Sequence, residues 1–420
     1  MKFRVDREAL GDAVAWVARA LPSRPVVPVL SGLLLQAGDD ELTLSCFDYE
    51  VSARARIDAK VEQPGEALVP GRLLAEVIRS LPALDVEMAT DADMVGVTCG
   101  RAEFALVSLP AADYPALPEP PPPAGTVDGG ALSVAAAQVV PAASRDDTLP
   151  MLTAVCLDVD GDTLTMAATD RYRMAVRRLR WEPTAPRLRA VAMVPARTLA
   201  EVARTMAAGV PVTVAFGAPG QAGTAGEPGQ DSTAREPRAA DGLISFESAS
   251  RRFTARLVAG EFIKYQSRFP ADFGSRAMLP AAAFTEAVRR VSLAADRASP
   301  VRLAFGPDGA VVEAQTEGRA KAKESVPAEF QGDEKVISFS PHLLLDGLAA
   351  AAAAAPARHP GHDEDSTQTA TADPMQIRLE FTSAAKPALI TWAGDEGLQP
   401  GDPAPAFRYL VAPLRAPARG

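Results

Sequence analysis

Residues 42–57, LTLSCFDYEVSARARI, return as residues 164–179, LTMAATDRYRMAVRRL, at one constant separation along the chain. Leu42, Thr43, Asp48, Ala53 and Arg56 recur as Leu164, Thr165, Asp170, Ala175 and Arg178. A third, more drifted copy is VVEAQTEGRAKAKESV at 311–326, where Glu317 stands for Asp48 and Ala322 for Ala53. Self-similarity at long period is the mark of tandem structural units. LLLQAGDDELTLS and CLDVDGDTLTMA alternate apolar and polar residues about a Gly/Asp turn, which predicts antiparallel hairpins buried on one face.

Helical segments repeat beside the hairpins. PGRLLAEVIRSLP at 70–82 matches PARTLAEVARTMA at 195–207 and SPHLLLDGLAAAA at 340–352. Leu74, Val77, Ile78 and Leu81 fall on one helical face, as do Leu199, Val202 and Met206. An earlier helix recurs as well: Leu10, Ala13, Val14 and Val17 are echoed by Leu132, Ala135, Ala136 and Val139, then by Phe284, Ala287, Val288 and Val291. The chain is therefore expected to be α+β, with three tandem units that each pack two helices on antiparallel sheet. The expected domains are residues 1–124, 125–275 and 276–420. PALPEPPPPAGT at 115–126 closes the first, and the second boundary lies around FPADFGSRAMLP. Residues 217–242 and 351–374 lack apolar periodicity and are expected to be inserted mobile loops.

A chain of 420 residues exceeds one ordinary core, which agrees with several domains of roughly 100–200 residues each. Charges interrupt MKFRVDREALGDAV early, so neither a signal peptide nor a membrane-spanning run is expected, and the cytoplasm is the expected location. Cys46, Cys99 and Cys156 lie far apart, as buried free thiols would. No P-loop, HExxH or GxSxG motif is present, and catalysis finds no support. His359 and His362 stand in a low-complexity stretch that reads as solvated loop rather than a metal site, and no cofactor is expected. The formal charge of −10 argues against a generally basic nucleic-acid binder, but it allows arginines gathered on one inner face.

Three tandem copies of this unit resemble the β subunit of bacterial DNA polymerase III, the sliding clamp, in an actinobacterial-like form. The strongest local matches are LPSRPVVPVLSGLLL at 21–35, SLPAADYPALP at 108–118, SRDDTLPMLTAV at 144–155, ATDRYRMAV at 168–176 and YLVAPLR at 409–415. The resemblance implies a head-to-tail homodimer that forms a ring of six domains around duplex DNA, without sequence preference. It implies as partners the polymerase III catalytic subunit, the clamp loader and other proteins with clamp-binding motifs. Two alternatives stand beside this reading: a diverged second clamp with altered partners, and a DNA-independent scaffold.

Arg72 and Arg79 lie seven apart on one predicted helix and recur as Arg197 and Arg204, so they are the candidate DNA-facing residues. The resemblance adds Arg24, while the third helix offers His342 and Ala349 at the matching points. It also implies a partner-peptide pocket made of Leu149, Leu152, Thr169, Arg171, Tyr172, Arg173, Met174, Ile263, Ser267, Arg268, Leu343, Leu410, Val411, Pro413, Leu414 and Arg415. Simple core is the other reading of Leu152 and Val411. The dimer contact is expected at Phe104 and Leu106 against Leu293. Ile263 stands where relatives commonly carry proline, Pro141 is expected to kink the first helix of the second unit, and APARG runs past the usual end.

Overall fold

The computed structural model describes residues 1–205, 209–216, 242–270, 272–296, 299–316, 318–353, 375–395, 397–398, 402 and 404–414. Met206, Glu317, His359, His362 and Arg415 lie outside the described residues, as do nearly all of both expected insertions.

The helices arise where the apolar spacing places them. They are α1 (Arg7–Ala18), α2 (Gly71–Ser80), α3 (Gly129–Val139), α4 (Ala196–Thr205), α5 (Ala281–Ser292) and α6 (Pro341–Ala352). Each set of repeated apolar residues on α1, α3 and α5 is buried, from Leu10 and Val17 to Phe284 and Val291. On α2 and α4 the same holds for Leu74, Val77, Ile78, Leu199 and Val202. Asp6 caps α1, its carboxylate accepting the Ala9 amide at 2.9 Å. Pro141 does not kink α3. The helix has ended at Val139, and the proline is the second residue of the Val140–Ala142 3-10 turn, in the first turn where its missing N–H breaks no helical bond.

The chain forms two compact units, Met1–Gly130 with Glu182–Pro186 and Arg204–Leu257, and Ala131–Trp181 with Arg187–Ala203 and Val258–Gly420. The first holds a nine-stranded antiparallel sheet in the order Glu182–Pro183, Pro123–Asp128, Pro211–Phe216, Leu243–Ser248, Arg251–Arg256, Val51–Asp58, Glu41–Phe47, Gly32–Gly38, Gly65–Pro70. It also holds a five-stranded sheet in the order Lys60–Gln63, Lys2–Val5, Val86–Asp91, Met94–Cys99, Ala102–Val107.

The second unit repeats the nine-stranded design: Arg189–Pro195, Ala154–Asp160, Thr163–Thr169, Arg173–Arg180, Phe407–Val411, Ala388–Trp392, Gln376–Phe381, Ser275–Pro280, Glu329–Gln331. Its second sheet has four strands, Ala320–Val326, Gly309–Thr316, Val301–Gly306 and Lys335–Phe339. The four sheets are thus assembled from two kinds of block, one of four strands and one of five, which occur together in the nine-stranded sheets and singly in the others. In the nine-stranded sheets the blocks join through antiparallel pairing, Val51–Asp58 with Arg251–Arg256 and Arg173–Arg180 with Phe407–Val411. Because these sheets run across repeat boundaries, the compact units are not themselves the repeats.

The repeated Asp has a local cause. Asp48 accepts the amides of Glu50 and Val51, and Asp170 those of Tyr172 and Arg173, at 2.7–3.0 Å. Each Asp thereby closes a hairpin loop whose next residue is left-handed, Tyr49 at φ 73° and Arg171 at φ 79°. In the third copy that conformation falls to Gly318 at φ 70°, the residue type that tolerates it best.

Candidate partner-peptide groove

Segments remote in sequence converge on the outer face of the second nine-stranded sheet. Met174 and Leu410 are register partners, and with Cys156, Ala167, Val176, Tyr265 and Leu389 they form one buried cluster. The connector after residue 258 crosses that face, laying Phe262, Ile263, Phe269 and Phe273 against the cluster. The Tyr265 hydroxyl donates to Asp158 at 2.7 Å and fastens the connector to the sheet; burial pushes that phenol well above its usual pKa. Ile263 fills its place as a partly buried apolar residue, the role a proline there would also serve.

The hairpin loop of Arg171 and Tyr172 would form the mouth of the candidate groove. Tyr172 is exposed, and its carbonyl accepts the Ala412 amide at 2.7 Å, which ties the carboxy-terminal segment to the hairpin. Leu414, half exposed, donates its amide to Ser338. On the other flank Leu149, Pro150 and Leu152 form a tight turn, and Met151 reaches toward Gly260. The Thr148 hydroxyl and amide, with Arg171 beyond them, hold the Asp146 carboxyl below its usual range, so this loop and the hairpin mouth are electrostatic neighbours.

Several candidates prove to be supports rather than open walls. Met174, Leu152, Leu343 and Leu410 are buried, and Val411 is fully so. Arg173 is committed internally. It pairs with Asp170 at 3.0 Å and with Asp346, and it approaches the Tyr409 hydroxyl, which donates to the Leu343 carbonyl at 2.8 Å. Thr169 donates to the Arg173 carbonyl. The exposed edge is left to Met151, Arg171, Tyr172, Ser267, Arg268 and Leu414, with Pro413 half-buried between. Sequence reasoning missed Arg408, whose guanidinium stacks on Phe269 at 4.1 Å; two remote segments meet there, and no local pattern reports it.

Arg72 and Arg79 are exposed on α2, and Arg197 and Arg204 on α4. Arg72 donates to the Pro22 carbonyl at 3.1 Å, at the foot of the turn that carries exposed Arg24. Arg197 has only a loose, solvent-exposed pairing with Asp147. His342, exposed at the start of α6, bonds the Ser340 hydroxyl. On strand Ala102–Val107, Leu106 is 4% exposed and packs inward, so Phe104 at 39% and Val107 at 59% are the apolar side chains left outside. Leu293 is 86% exposed. All three cysteines are free and buried.

Sheets built from one repeated pair of four- and five-strand blocks, with two such junctions in the chain, are the architecture of a sliding clamp. Residues 1–118, 126–264 and 266–355 match, in turn, the N-terminal, central and C-terminal domains of the DNA polymerase III beta subunit. The beta sliding clamp of Streptomyces coelicolor is 43% identical over 415 residues, covering 99% of both chains. The beta sliding clamp homolog GriR of Streptomyces muensis is 35% identical over 415 residues, again covering 99% of each. The crystal structure of the Bacillus subtilis clamp shares the fold, with a TM-score of 0.81 at 24% identity and 99% coverage of both chains. The chain belongs to the DNA polymerase III beta subunit family, and its function is that of a DNA sliding clamp.

Proposed function

We propose that two copies of the chain close head to tail into a ring of six domains that encircles duplex DNA and tethers the replicative polymerase. The observation that carries this reading is the pattern of block junctions. A four-strand block meets a five-strand block twice within the chain. That leaves one block of each kind with a free edge, on Ala320–Val326 and on Ala102–Val107. Pairing these two edges between protomers repeats a junction the chain already makes twice, and it removes both open edges. Exposed Phe104, Val107 and Leu293 then supply apolar contact. The reading takes the three domains as residues 1–124, 125–275 and 276–420.

Arg24, Arg72, Arg79, Arg197 and Arg204 would touch phosphates without reading bases. The groove around Met174, Leu410, Leu414 and Tyr172 would receive short apolar peptides from the polymerase III catalytic subunit, the clamp loader and other motif-bearing proteins. The chain would act in the cytoplasm, without catalytic residues of its own. The greater identity to the S. coelicolor clamp than to GriR favours the replicative role over a diverged copy. The test is retention on DNA after loading. Circular templates should hold the ring through moderate salt, while linear ones lose it from their ends; equal retention on both would overturn encirclement.

A further inference from the structure

The internal repeat makes the outer face of the first nine-stranded sheet the counterpart of the groove on the second. The counterparts differ in chemistry. Thr169, Met174 and Val176 in the second sheet answer to Phe47, Ser52 and Arg54 in the first, and Cys156 and Ala167 to Leu34 and Ser45. At the hairpin end the first face is closed, because Phe47 is buried there and its amide donates to the Tyr114 hydroxyl at 2.7 Å. Further along, between the sheet and the 111–117 connector, a cleft of about 310 Å³ remains. It is lined by Leu34, Gln36, Ser45, Arg54, Glu66 and Tyr114, with Ala111 and Leu117 among the connector residues over it. That volume lies at the lower end of the range for ligand pockets, about 300–1,000 Å³.

We propose that this cleft is a second peptide site, which takes an extended segment bearing a carboxylate. Ser45 and Arg54 are register partners on neighbouring strands. Cys46 faces α1, bonding the Val17 carbonyl, so Ser45 points to the opposite, outer side. Ser45 is 1% exposed, and it lines the cleft. Of the acids nearby, Glu247 is paired with Arg252, while Glu66 accepts from Gln36 and Glu41 from Thr43. Arg54 and Arg56 have no carboxylate partner among the described residues, and Arg54 also borders the adjoining depression with Arg56 and Arg252. Arg54 is therefore the charged group of the lining that no carboxylate pairs among the described residues. A carboxylate seated over Arg54 would accept from its planar guanidinium and from Ser45 together, while Leu34 and Leu117 receive flanking apolar side chains.

The inference takes its ligand class from the groove reading of the second sheet, and one experiment separates the two. The full chain is photolabelled with a diazirine-bearing heptapeptide that has leucine at alternate positions and a central aspartate, or with its asparagine counterpart. Label is mapped by mass spectrometry. The aspartate peptide should label 111–117, and either asparagine in the peptide or Arg54→Gln in the protein should lower that label about tenfold or more. Label at 149–174 should not respond to Arg54→Gln. The comparison of the two peptides on the unsubstituted chain stands whether or not the variant folds. Label confined to 149–174, or label at 111–117 indifferent to both changes, overturns the second site and leaves the groove standing. Label at 111–117 alone supports the second site and counts against the groove. Absence of label overturns both.

Discussion

Met174 and Leu410 stand opposite each other where two sheet blocks join, and the connector beyond residue 258 covers them both. The residues proposed to floor the peptide groove are therefore also residues that hold two parts of the sheet together. Met174→Ala should remove packed side-chain volume and lower unfolding free energy by about 2–5 kcal/mol, as buried Met→Ala changes do. Denaturant melts of the variant would read this directly. A loss under about 1 kcal/mol would mean that Met174 lines open space.

Leu414 is the contrasting case, since it is 38% exposed at the groove edge. Leu414→Ala should leave the melt within about 0.5 kcal/mol of the parent, as exposed substitutions usually do. Its affinity for a polymerase-derived peptide should fall at least about tenfold, the scale of an apolar anchor. Unchanged peptide affinity would remove Leu414 from the site.

The sequence made the helix faces and hairpins legible because burial on a helix repeats near 3.6 residues and on a strand every two. Asp48 and Asp170 were legible for a similar reason, since one short side chain closes one loop. What a local pattern does not report is which distant strand completes a sheet. Nothing around Arg251–Arg256 names Val51–Asp58 as its partner, and that pairing decides how the blocks join. The same limit explains Met174, which alternates like a surface-lining residue until the connector folds over it. It explains Leu106 too: an edge strand has one open side, yet its inward residues are as buried as those of a central strand.

Burial pushes the Cys46 and Cys156 thiols up to about 12. An unfolded thiol ionises near about 8.5, so below that pH both states keep the proton and stability does not respond. Above it the unfolded chain gives up protons that the folded chain retains. Stability should then fall by up to about 1.4 kcal/mol per pH unit for each thiol, until the folded thiols ionise as well. Denaturant midpoints at pH 8 and pH 9.5 measure the slope. The Cys46→Ala, Cys156→Ala double variant should flatten it, and an identical slope in the variant would assign the effect to other groups.

The free edges give the sharpest test of ring closure. Val107 and Leu293 are exposed in the single chain, so charging them removes no core packing. Val107→Asp and Leu293→Asp should each shift the melt of the isolated chain by no more than about 0.5 kcal/mol. In the proposed ring both positions would be buried, and a carboxylate placed there would have to be desolvated without a partner. Dimer affinity should drop by about two orders of magnitude or more, which corresponds to roughly 2.7 kcal/mol. Mass measured in solution over a dilution series would report the shift, with the parent dimeric at micromolar concentration and each variant monomeric. If both variants stay dimeric at the parent's concentration, the protomers meet through another surface, and the pairing of Ala102–Val107 with Ala320–Val326 is wrong.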